Sequence, residues 1–369
     1  MSNVAHHGVI EMEDGKHRIS RERSIFLLVP PSQHQVIRRE IRQLIPELIG
    51  EFLGMWYVMA TATAITCMLL FYNPSPFLPG FLGLALPWGF AFTFMVFAVG
   101  AISGGHFNFS VTLAFACFRG FPKWKALPYF FAQVLGGICG TLNMWFTYYP
   151  VGYQIAAGKP LSEATTVAAA FFNNADLSEY TTIHSFGIQA FYTAFLLFVI
   201  FAITDPYNPL APGANMFPVI VGFLVMQLGC SLGMINQFTI NPSRDLSARI
   251  AGAMLGMGKT ALPGPGGMLW ANQIGSMLGG ISGGFVYEAL VRPFMPRVEE
   301  LGPTPFMIQW EKFYNWIRGR KGESLYGTRE NGIGNASQDD QIQGAETFEQ
   351  KRYIHEEDKF ASNVHHVPD

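Results

Sequence analysis

The feature that most constrains this chain is where its charges are missing. From Phe52 to Phe118 there is no Asp, Glu, Lys or Arg, and the same holds from Ala126 to Gly158, Pro206 to Ser243 and Thr260 to Tyr287. A soluble domain spends about 25% of its residues on charge to cover its surface. Here the share is 14%, against 50% hydrophobic, and the few charges are unevenly placed. A helix that crosses the hydrocarbon of a bilayer needs ~20 largely apolar residues. Cut at Pro/Gly-rich breaks such as Asn73 to Gly80, the charge-free stretches yield six spans, at about 48–71, 81–103, 126–148, 184–204, 216–235 and 268–291.

The cations that remain set an orientation, because Lys and Arg gather on the cytoplasmic side. Seven of the 24 precede residue 47, Arg119, Lys123 and Lys125 follow the second span, and ten follow residue 291. The connection between spans three and four has only Lys159 beside three acids. Both termini are therefore expected in the cytoplasm. The division is a cytoplasmic tail over 1–46, a membrane core over 47–291 and a second cytoplasmic tail over 292–369. The first 24 residues are polar and charged, so no cleavable signal is expected. Residues 1–35 and 322–369 read as disordered. Val36, Ile37, Ile41, Leu44, Ile45 and Leu48 suit an amphipathic turn into the first span. Phe306, Trp310, Phe313, Tyr314 and Ile317, followed by Arg318, Arg320 and Lys321, suit a short helix on an anionic leaflet. The cysteines Cys67, Cys117, Cys139 and Cys230 all fall in membrane segments, which suggests neither a disulfide framework nor a metal site.

Two polar islands interrupt the apolar pattern. One runs Ser103-Gly104-Gly105-His106-Phe107-Asn108-Phe109-Ser110, the other Ile240-Asn241-Pro242-Ser243-Arg244-Asp245. Each opens a short apolar run, 111–118 and 246–257, too short to cross. An irregular strand entering the membrane followed by a half-helix leaving it fits both. The two asparagines lie 133 residues apart, and Gln133 and Gln273, in the spans that follow, lie 140 apart. With three spans per half, the halves have opposite topology. The expected fold is thus all-α, with six transmembrane helices and two re-entrant half-helices in an inverted repeat.

Such a pair can make a pore. Asn is a favoured N-cap, and Pro242 at the first helical position carries a preset torsion and no surplus N–H. Each half-helix N-terminus carries about half a positive charge, so two that meet at the midplane repel cations. The asparagine amides would donate to an uncharged molecule in single file. Carbonyls of Gly104, Gly105, His106 and Phe107, and of Gln237 and Thr239, would accept along the path.

With these residues in view, the chain resembles the aquaporin, or major intrinsic protein, family over residues 47 to 291. The family's two Asn-Pro-Ala motifs are matched by Asn108-Phe109-Ser110, after His106, and by Asn241-Pro242-Ser243, before Arg244. Glu51 matches the early glutamate of the first span, and Ala132 to Gly137 match Ala-Gln-x-x-Gly-Gly of the third. The resemblance implies a selectivity filter of Trp88, Gly229, Phe238 and Arg244, carried over by spacing from the motifs. Gly229, where water-selective members place histidine, leaves room. Trp88 and Phe238 would face the carbons of a polyol and Arg244 its hydroxyls. Asp245 after the arginine is typical of the glycerol-conducting branch. A passive channel for glycerol and water is implied, in a homotetramer, in a lipid bilayer; the plasma membrane, rather than an internal one, is the expected location. The alternatives are a channel mainly for water or hydrogen peroxide, and a non-conducting membrane organiser.

This sequence also departs from the family pattern. Phe109 replaces a proline, and its ring either packs outward, which is the expectation, or narrows the pore. Ser110 and Ser243 replace alanines. Gln189 stands where a second glutamate like Glu51 belongs, and Asn272 where glycerol channels often carry proline. Glu51 is expected to accept backbone N–H bonds of the re-entrant loops rather than touch the permeant. Between the islands the core has almost no titratable group, which argues against a coupled transporter. No phosphate loop, catalytic carboxylate pair or nucleophile–base set is present, so neither an enzyme nor a cofactor is expected, nor a nucleic-acid partner.

Overall fold

In a computed structural model of the protein, residues 34–72, 82–173, 181–236 and 239–319 are described. Gln237 and Phe238 lie outside these residues, as do most of both tails, so the expected disorder of the tails falls there too. Among the described residues there is no strand. The first half comprises α1 (His34–Phe71), α2 (Leu82–Ser103), the short α3 (Phe109–Phe118) and α4 (Lys123–Ala156). A connection carrying α5 (Thr165–Phe171) leads to the second half: α6 (Thr182–Ile203), α7 (Phe217–Asn236), the short α8 (Pro242–Met254), α9 (Gly258–Ala261) and α10 (Met268–Leu290). After it come α11 (Val298–Leu301) and α12 (Pro305–Ile317).

Six of these helices are long. Leu44–Phe71, Leu82–Ser103, Thr182–Ile203 and the stretch Gly258–Phe294 around α10 are long and apolar enough to cross a membrane on length and composition alone. The other two expected spans fall on α4 and α7. α4 is 34 residues long but puts Gln133, Thr141 and a run of glycines on its buried face, which lowers its hydropathy.

Small residues decide how these helices pair. Gly136 and Gly140 on α4 touch the backbone of Phe52 and Trp56 on α1, so a Cβ at either would collide with a carbonyl oxygen. In the second half Gly275, Gly279 and Gly283 on α10 meet the carbonyls of Phe186, Ala190 and Ala194 on α6 in the same way. Across the halves, Gly89 on α2 and Gly222 on α7 lie against each other's carbonyls, and they too are 133 residues apart. Burial of apolar surface gives no drive between helices in lipid, so close backbone approach is what holds such pairs. The arrangement is the inverted repeat expected from the islands.

α1 begins earlier than its apolar span, at His34, and continues through Pro46. The chain after α10 is anchored as far as Trp310. Tyr207 donates its hydroxyl to the Gly302 carbonyl, Arg297 donates to the Pro206 carbonyl, and the Phe306 and Trp310 rings meet Phe285 edge-on. The rest of α12, from Glu311, belongs to a separate compact unit, within which the Phe313 and Trp316 rings stack.

Candidate functional site: two capped half-helices on one cavity

The two islands fold into matching turns. Asn108 (φ −159°, ψ 120°) caps α3, its side-chain oxygen accepting from the Ser110 N–H. Asn241 (φ −150°, ψ 105°) caps α8, accepting from the Arg244 N–H, with Pro242 at the first helical position. The residue before each asparagine is in the left-handed region, Phe107 at φ 44° and Ile240 at φ 35°. For residues with a Cβ that costs about 1–3 kcal/mol each, and it persists only where surroundings enforce it.

Those surroundings are polar side chains from the first helix of each half. Glu51 on α1 accepts the N–H groups of His106 (3.0 Å) and Phe107 (2.8 Å). Gln189 on α6 accepts that of Ile240 at 2.8 Å. Gln189 thus does with a neutral oxygen for the second turn what Glu51 does with a carboxylate for the first. Gln133 joins the halves, donating to Glu51 at 2.7 Å while accepting the Ser243 hydroxyl at 2.6 Å. Gln273 donates to the Pro242 carbonyl at 3.1 Å.

The asparagines themselves are cross-connected. Asn108 donates its side-chain amide to the Ile240 carbonyl at 2.9 Å, and Asn241 donates to that of Phe107 at 2.7 Å. Each amide has a second N–H beyond that bond. Beside them is a cavity of about 40 Å³, enough for a few water-sized molecules in file at roughly 10–15 Å³ each. Its polar lining residues are His106, Asn108, Thr239, Asn241 and Arg244, and its apolar ones include Trp88, Phe92, Leu196, Val221 and Val225. The Arg244 guanidinium lies 5.2 Å from the centre of the Trp88 ring, within cation–π range.

Not every residue singled out in the sequence reaches this cavity. Gly104 and Gly105 turn the chain before it, their N–H groups bonded to the Gly100 carbonyl and the Ser103 hydroxyl. The Phe107 carbonyl, expected to face the path, accepts Asn241 with one of its two lone pairs, and the ring is buried against Gly54. Ser110 and Ser243 are fully buried and not among the lining residues, the Ser110 hydroxyl having no hydrogen-bond partner. Phe109 turns its ring onto Phe130, centroids 4.5 Å apart. Asp245 is buried beneath the half-helix and pairs with Arg249 at 2.8 Å. Gly229 is buried on α7, four residues beyond Val225 and eight beyond Val221, so it continues their face.

Several participants were not foreseen. Phe92, Val225 and Val111 lie one helical turn from Trp88, Gly229 and Asn108, and Leu196 two turns from Gln189, so counting by turns from the motif residues would have found them. Arg249 had no such signal. Fully buried, it donates to the Asn173 carbonyl at 2.6 Å and the Ala261 carbonyl at 3.0 Å, tying α8 to both neighbouring connections.

An inverted repeat of apolar helices that brings two asparagine-capped half-helices onto one cavity has the architecture of a membrane channel. The family model described as Major intrinsic protein matches residues 38–287, and the chain belongs to that family. It is a multi-pass membrane channel and not an enzyme. Among curated relatives, Aquaporin-7 of Mus musculus is 32% identical over 275 residues, covering 73% of this chain and 88% of that protein. Aquaporin-7-1 of Laccaria bicolor is 33% identical, over 76% of this chain and 82% of its own length. Aquaporin-9 of Homo sapiens is 28% identical over 71% and 88%. The solved structure of the aquaglyceroporin from Plasmodium falciparum shares the fold with a TM-score of 0.59 at 24% identity, over 68% of this chain and 98% of that one.

Proposed function

We propose that this channel conducts glycerol and water passively and excludes ions. The observation that carries the reading is the mixed lining of the cavity. A polyol carries both carbons and hydroxyls, and the cavity is lined both by Trp88, Phe92 and two valines and by Arg244, Thr239 and the asparagines. The name of the structurally similar aquaglyceroporin and the identity to Aquaporin-7 support the same solute class. Trp88, Gly229, Phe238 and Arg244 form the selectivity filter in this reading, with the Gly229 gap as room for the carbon backbone. A cation about 5 Å from Arg244, at an effective dielectric near 20, meets roughly 3 kcal/mol of repulsion, before the two helix dipoles add theirs. The core over 47–291 assembles as a homotetramer in the plasma membrane, its tails (1–46 and 292–369) cytoplasmic.

Stopped-flow light scattering on reconstituted vesicles tests the reading. Wild-type protein is expected to move glycerol well above protein-free lipid, and Gly229→His to suppress glycerol more than water. Wild-type vesicles that pass water quickly but glycerol no faster than empty lipid would overturn it.

A further inference from the structure

A helix face turned away from its own bundle in a membrane meets lipid or another chain, and one such face carries an amide. On α7 the row Phe223, Gln227, Cys230 and Ser231 is exposed at helical spacing. Gln227 is the eleventh of the 20 residues of α7 and stands two past Val225, which lines the cavity with the asparagines. Its depth is therefore the middle of the span. Ser231 satisfies only part of it, accepting one side-chain N–H at 3.3 Å while donating its own hydroxyl to the Gln227 main-chain carbonyl at 2.9 Å. A carboxamide has two N–H groups and an oxygen with two lone pairs. One N–H and the oxygen thus remain open, among the described residues, on a surface where hydrocarbon offers them nothing. Other exposed hydroxyls on long helices, those of Thr147 and Ser282, bond to carbonyls of their own helix.

The inverted repeat provides a comparison. α2 and α7 correspond at an offset of 133 residues, the spacing of Gly89 and Gly222. At that offset Phe90, Phe94 and Phe97 stand for Phe223, Gln227 and Cys230, and all three are exposed. The α2 row is apolar throughout, as a face against lipid can be, whereas the α7 row is broken at its centre by an amide. We infer that this α7 face is the contact between copies of this chain, with the Gln227 amides closing a hydrogen-bonded ring about the axis of the assembly. Rotational symmetry sets the same residue of each copy around that axis. A carboxamide suits the position because it donates to the next copy and accepts from the one before. Cys230 and Ser231, one turn further on, are small enough for the helices to approach. The inference rests on the homotetrameric reading and names the surface that holds the assembly together.

The test follows assembly of the full-length protein in mild detergent on dilution, by mass photometry, for wild type and Gln227→Leu, which keeps the bulk and removes the amide. Loss of one interhelical hydrogen bond weakens each contact roughly threefold. Compounded around a tetramer, that raises the concentration at half-assembly about fourfold. A leucine variant that assembles as well as wild type, or better, means that the amide faced lipid, and overturns the inference. Should that variant fail to fold, the native cysteine still decides. Cys230 shares the exposed row, so a short bifunctional thiosulfonate is expected to link neighbouring chains in vesicles, and Cys230→Ser to abolish the link. No link, or one that persists in Cys230→Ser, overturns the inference while leaving the tetramer intact. Wild-type protein that is monomeric throughout overturns the tetramer itself, and the inference with it.

Discussion

Phe109 occupies the place that Pro242 holds in the second turn. Proline presets the torsion of a first helical residue and carries no surplus N–H, whereas phenylalanine has neither advantage. What it gains is the contact of its ring with Phe130, on the α4 side and away from the residues that line the cavity. Phe109→Pro is therefore expected to leave water and glycerol permeability within about twofold of wild type, losing the ring contact of roughly 0.5–1.5 kcal/mol and recovering part of it from the preset torsion. A several-fold rise in glycerol flux would mean that the ring gates the path. Residue identities in the pore motifs were legible because their order and spacing are fixed by the backbone. What a side chain does there was not. That the Phe107 carbonyl accepts the Asn241 amide depends on a residue 134 positions away, beyond what local spacing records.

Among elements, the glycines of α4 and α10 carry the helix pairings. Gly279 lies against the backbone of Ala190, with no flexible side chain there to give way. Gly279→Leu is expected to separate α6 from α10 and to cost about 3 kcal/mol or more, read as a lower thermal midpoint of the detergent-solubilised protein. Gly187, on α6, has open space where its Cβ would go. Gly187→Ala should be neutral or stabilise by up to about 1 kcal/mol, so the pair separates close packing from glycine content. The spans were legible because exclusion of charge over ~20 residues is dictated by the bilayer. Helix ends were less so. α1 starts at His34 rather than near residue 48 because the backbone ladder does not stop where polarity changes, and α4 hides its hydropathy behind the small and polar residues of its packed face.

The whole molecule is two halves and a set of charges at their ends. Arg119 and Asp205, which bound charge-free stretches, meet Glu288 and Arg292 in one buried group, with Arg119–Glu288 at 2.7 Å, Arg292–Glu288 at 2.8 Å and Arg292–Asp205 at 3.2 Å. Tyr287 adds a bond to Asp205 at 2.8 Å. Two cations and two anions can be buried together where any one alone would be prohibitive. That the boundaries of apolar runs would find one another was invisible in a linear reading, which treats each as the edge of a separate span. These charges belong to the scaffold, and the cavity itself presents no acid or ion pair that a gradient could load. Solute flux should therefore run downhill only and be unaffected by proton or sodium gradients across the vesicle. Accumulation of glycerol on an imposed pH step would refute this.

The crossed amide bonds between the two turns also order events in time. Asn108 donates across the halves to Ile240, and Asn241 to Phe107. As the ribosome delivers this chain from its N-terminus, the first three spans can enter the bilayer, yet their re-entrant turn waits for partners more than 130 residues downstream. An interrupted chain is thus an unfinished channel. The opening forms when the second half docks, so an unassembled intermediate puts no ready-made hole in the membrane that receives it.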